Sequence, residues 1–193
     1  MATAKLSKLE LPTFEGDIKL WQGFWEQFSV SIDNVADIPE VTKFTYLRSL
    51  LKGEPLKAVS GLSMCEKHYS IACAILKERY GRKETIIFAH IQELMNISPP
   101  TTRSKISHLR NFQDKLLSHI RSLEVLGVSG SQYGVILTPM ILAKLPSDIR
   151  LEWAREGAGR EDDLDFLLTF LNLEIQRRER SQNFKISDTL VEE

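Results

Sequence analysis

Apolar residues along this chain recur mostly at steps of three and four, the period of an α-helix rather than a strand. Trp21, Phe24, Phe28, Ile32 and Val35 form one such stripe, which Trp25 widens. Asp17 stands just before it as a cap, because its carboxylate can accept the unpaired N–H groups of a first turn. Pro39 ends that segment, and Phe44, Leu47 and Leu51 begin a second helix that stops at Gly53. Pro55 suits the first turn of a short helix through Val59, closed by Gly61. Tyr69, Ala72, Leu76 and Tyr80 predict a further helix, with Gly81 as its left-handed C-cap.

A second set of helices starts after Arg82 and Lys83. Ile87, Ile91 and Leu94 predict a helix that must end before Ser98-Pro99-Pro100. Ile106, Leu109, Phe112, Leu116, Ile120 and Leu123 sustain one stripe up to Gly127. A helix over 102–126 would be about 37 Å long at 1.5 Å per residue. Residues 131–145 are apolar on nearly every side, and Pro139 either kinks that helix or starts its second half. Ser147 to Glu156 is short and charged. After the GAGR loop, Asp162 or Asp163 caps a last helix with Leu164, Leu167, Leu168, Leu171 and Ile175 as its stripe.

The expected organisation is therefore all-α. It comprises an extended arm over 1–13, a first lobe over 14–82, a second lobe over 83–181 and a flexible tail over 182–193. Composition supports the fold class, since Leu (26) outnumbers Val (8) and Gly (10) and Pro (7) are few. Lys plus Arg (25) nearly balances Asp plus Glu (26), so no global charge draws the chain to nucleic acid. Two cysteines cannot build a disulfide framework, and no apolar run reaches the roughly 18 residues of a membrane span. The opening MATAKLSKLE lacks the apolar region of a signal peptide. Together these features lead us to expect a soluble protein of a reducing compartment with no membrane partner.

Candidate chemistry is sparse. There is no glycine-rich phosphate loop, no GxSxG elbow and no HExxH pair. Cys65, His68 and Cys73 offer three ligands where a closed zinc site needs four. His68, His90, His108 and His119 are dispersed, and His108 and His119 would sit roughly 16 Å apart along one helix, as solvated polar-face residues. The expectation is no enzyme, no catalytic residue, no metal, no cofactor and no small-molecule substrate. Two basic groups remain. Arg103, Lys105, Arg110, Lys115 and Arg121 line the long helix, and Arg177, Arg178 and Arg180 end the last one. Both read first as solvated faces, with Arg177, Arg178 and Arg180 the candidate RNA-facing residues.

Four blocks stand in one order: LELPTFEGDIKLWQGFWEQF (9–28), KFTYLRSLLKGEPLKAVSGL (43–62), YSIACAILKERYG (69–81) and VILTPMILAKLPSDIRLEWARE (135–156). They resemble the Gag capsid region of BEL/Pao-type LTR retrotransposons, related more distantly to Gypsy-type, retroviral and Arc capsid domains. The resemblance implies a two-lobed, retroviral-capsid-like helical bundle that self-assembles through weak, repeated interfaces into a shell around retroelement RNA. The partners it implies are copies of itself, as pentamers and hexamers of a lattice joined by C-lobe dimers. RNA would be enclosed indirectly, because the zinc knuckles that usually bind it are absent here. The alternative is a domesticated, non-assembling adaptor that binds partner peptides through an apolar groove.

Two surfaces carry these readings. Trp21, Phe24, Trp25 and Phe28 cannot all point into one small lobe, so one is expected to be partly exposed, in a groove or ring contact. The competing reading places all four in the core. On the 131–145 helix, Leu142, Leu145 and Val135 can face inward while Tyr133, Ile136 and Met140 share another side. That second side would form a two-fold interface, which the resemblance also implies; alternatively, this is the lobe's central core helix.

Overall fold

Phe14 is where the described chain first locks into place. Its N–H donates to the Leu50 carbonyl at 2.8 Å, and its carbonyl accepts the Lys52 N–H at 2.9 Å. This isolated parallel bridge to Leu51 is the extended pairing present, and no strand forms among the described residues. The protein is described by a computed structural model covering residues 11–100 and 106–188, with side chains through Gln182. Most of the expected arm (1–10), together with Arg103 and Lys105, lies outside the described residues.

The first helix opens as a 3₁₀ turn at Ile18–Leu20, where Asp17 Oδ1 accepts the Lys19 N–H at 3.0 Å. It continues as α1 (Trp21–Phe28) and closes in a π turn at Ser29–Asp33, the Asn34 N–H reaching the Ser29 carbonyl at 2.9 Å. That wider turn brings Asp33 to its neighbours. The Asp33 carboxylate accepts the Tyr69 hydroxyl at 2.5 Å, and its carbonyl accepts Lys43 Nζ at 2.6 Å. Lys43 belongs to α2 (Glu40–Leu50) and Tyr69 to α4 (Glu66–Tyr80), with α3 (Gly53–Ser60) between them. Phe14, Trp21, Phe24, Phe28, Phe44, Leu47, Leu76 and Tyr80 form the core of this part.

Gly81 follows α4, but not as a left-handed cap: its φ is −94°. The reason for glycine is space. A Cβ there would stand 2.8 Å from both the Lys77 carbonyl and Trp21 Nε1, so the close approach of α1 to the end of α4 demands a bare backbone.

The chain divides into two compact units between Ala89 and His90, inside α5 (Lys83–Asn96). The sequence places the junction between residues 82 and 83, at the start of that helix. On α5 the buried positions are Ile86, His90 and Leu94, one register earlier than the predicted Ile87 and Ile91.

The second unit continues through α6 (Ile106–Val125), α7 (Gly130–Lys144), α8 (Ser147–Glu156) and α9 (Leu164–Asp188). The predicted α6 stripe is buried from Leu109 to Leu123. A capping box between Ser129 and Gln132 starts α7. Asp163 is the cap of α9, its carboxylate accepting the Phe166 N–H at 2.9 Å. Contrary to the expected tail from 182, α9 stays helical to Asp188. Buried Gln113 and half-buried Arg110 tie α6 to α9, Arg110 gripping Glu179 through three bonds of 2.8, 2.9 and 3.3 Å.

Candidate interaction surfaces

The α1 aromatics separate into a core set and one surface residue. Trp21, Phe24 and Phe28 are buried, and Phe14 packs 5.2 Å from both Trp21 and Phe24. Trp21, Phe24 and Phe28 are thus core residues, which corrects them as groove or ring-contact candidates, and the partial exposure expected of one of the four falls on Trp25. Trp25 is half-buried, stacked on Trp21 at 5.2 Å with Lys77 Nζ 4.7 Å above its ring.

On α7 the expected inner and outer faces are rotated. Tyr133, Leu137, Ile141 and Leu145 form the buried ridge. Gly134 lies beside them, and a Cβ there would meet the Asp162 carbonyl at 2.9 Å, so this side rests against the chain that leads into α9. Tyr133, expected outside, is buried; Val135, expected inside, is 64 % exposed. Ile136 is 66 % exposed, and Met140 is half-buried at the margin. Val135, Ile136, Pro139 and Ala143 line one exposed apolar strip at helical spacing. Pro139 lacks the N–H that would bond the Val135 carbonyl, and both residues lie on the side where water can take that bond. On the inner side, the hydroxyls of Tyr133 and Thr138 are buried with no protein partner.

The candidate RNA-facing arginines are largely committed to carboxylates. Arg177 bonds Glu156 at 2.9 Å, and Arg178 bonds Glu174 at 2.7 Å and Asp148 at 2.6 Å. Burial alone would raise the Asp148 carboxyl, but the Arg178 guanidinium outweighs it and holds the group below the usual carboxylate range. Arg180 is exposed. Internal pairing of Arg177 and Arg178 removes much of the positive field that RNA would meet.

The cysteine and histidine candidates do not converge. His68 donates Nδ1–H to the Ser63 carbonyl at 3.0 Å, and burial pushes the Cys73 thiol up to about 11. Among the described residues no group of three or more His, Cys, Asp and Glu is placed to hold a metal. His119, expected on a solvated face, meets His90 of α5 instead. Two depressions of the second unit measure about 260 and 210 Å³, one beside the start of α7 and one beside Pro99 and His108. No described helix is long and apolar enough to cross a membrane.

A family model described as a protein of unknown function, DUF1759, matches residues 14–162. The chain belongs to the DUF1759 family. The DUF1759 match begins at Phe14, the residue that bridges to Leu51, and ends just before Asp163 caps α9. It thus covers both α1 and α7 and leaves α9 outside. No curated protein and no solved structure matches the chain.

Proposed function

We propose that this DUF1759 chain is a Gag-type capsid protein of a BEL/Pao-like retroelement, a structural subunit of an intracellular, cytoplasmic shell. The carrying observation is the exposed strip of Val135, Ile136, Pro139 and Ala143 on a helix whose opposite ridge is buried. A rigid helix bearing a small apolar strip suits a weak, self-complementary contact, the kind that a repeating lattice needs. The family is commonly found in Gag-like and polyprotein regions of retrotransposons, which supports the same reading. In this proposal Ile136 and Met140 remain at the two-fold contact, Val135 replaces Tyr133, and Trp25 is the α1 residue left to touch a neighbouring copy. RNA is enclosed rather than gripped, since Arg177 and Arg178 already bond carboxylates.

Electron microscopy of the purified chain across salt and protein concentration tests it. Particles or ordered sheets are expected, and Ile136→Asp should abolish them without loss of helicity. A folded monomer at every concentration overturns the proposal and favours the non-assembling adaptor.

A further inference from the structure

The C-terminal part of α5 meets α6 through two imidazole rings. His90 Nδ1 and His119 Nδ1 stand 3.0 Å apart, with ring centroids 5.3 Å apart and planes inclined by 58°. An imidazole nitrogen either carries a proton and donates or bears a lone pair and accepts. A contact of this length between two ring nitrogens therefore holds one proton, donated by one Nδ1–H to the bare Nδ1 of the other ring. At least one of the two rings is neutral in this arrangement. His90 is 5 % exposed, so water is poorly placed to substitute for the bond.

We propose that the His90–His119 pair is an acid-sensitive latch between α5 and α6, closed while one ring is neutral and opened when both are protonated. A second proton replaces the accepting lone pair with an N–H and sets two cations against each other in a poorly hydrated place. Histidine is the side chain whose ordinary titration falls in mild acid, at about 6.5. Below that range the opened or unfolded chain binds protons on both rings, whereas the closed latch accommodates one fewer. The opened form thus binds more protons, and stability falls as the pH falls.

Neighbouring charges set how sharply the latch responds. Glu93 stands one helical turn along α5 from His90 and favours positive charge on the pair. Lys115, one turn back along α6 from His119, opposes the second proton. Lys144 of α7 is held away from the rings' own bond, donating to the Ile97 carbonyl at 3.0 Å just beyond α5.

Hydrogen exchange of the full chain, corrected for the intrinsic pH dependence of amide exchange, reads the latch directly. Between about pH 7.5 and about pH 5.5, opening of the His90–Asn96 and Ser118–Ser122 amides should rise about tenfold, as expected for losing one hydrogen bond to a charged group. In His119→Gln the side chain still bonds His90 but cannot be protonated, so the acid response should vanish. An equal response in both proteins, or none in the parent, overturns the proposal. Nitrogen NMR of the two imidazoles in the parent gives an answer even if the variant fails to fold. Two coupled protonation steps, the second coinciding with the new exchange, are expected; two independent single-step titrations without opening overturn it.

Discussion

Helices α1 and α7 both carry more large apolar side chains than one core-facing stripe needs, yet they resolve that excess differently. In α1 the aromatics recur at steps of three and four, with Gln22, Gly23, Glu26 and Gln27 between them. The polar gaps define an outer face, so three aromatics go inward and Trp25 alone is left at the margin. In α7 no such gap exists from Gly134 to Leu142, apart from Thr138. There the apolar surplus ends up on both sides, as a buried ridge through Leu137 and Ile141 and an exposed strip through Val135 and Ile136. Polar residues orient a helix as much as apolar ones do, and a helix without them leaves its facing to its neighbours.

The largest expected effect lies in α1. Phe28→Ala should cost about 3–5 kcal/mol in denaturant unfolding, because a fully buried ring leaves a cavity. A loss below about 1 kcal/mol would break the assignment of α1 as a core helix. Next comes the glycine on which α1 rests. Gly81→Ala should cost about 1–3 kcal/mol, since the methyl meets backbone and indole at 2.8 Å.

Smaller changes separate the two sides of α7. Tyr133→Phe should be neutral or stabilise by up to about 1 kcal/mol, because the hydroxyl it removes is buried without a protein partner. A clear destabilisation would show that the ridge depends on that hydroxyl. Ile136→Asp should shift stability by no more than about 0.5 kcal/mol, as befits an exposed position, even as it disrupts self-association. A loss of several kcal/mol would move Ile136 into the core and erase the contrast between the two faces of α7.

Much of the fold was legible because its signals are local. Asp17 and Asp163 cap the helices they precede, through bonds of 3.0 and 2.9 Å. The α6 stripe and the breaks at Pro39 and Gly127 need only the 3.6-residue period and the chain's own punctuation. The candidate surfaces were less legible. Arg177 and Arg178 looked like free cations on one helix, but their partners Glu156 and Asp148 belong to α8, twenty-one and thirty residues away. His90 and His119 looked dispersed for the same reason, being 29 residues apart in the chain and 3.0 Å apart in space.

By itself, then, the sequence determined the all-α class, most helix positions, the aspartate N-caps and the inward face of α1, all of which follow from residues within a turn or two of one another. Only the tertiary structure decided which side of α7 is buried, why position 81 must be glycine, and which cations and imidazoles are paired. Those outcomes depend on groups brought together from distant segments. Neither periodicity nor composition carries the distance between an α7 backbone and the Asp162 carbonyl, or between an indole and the end of α4.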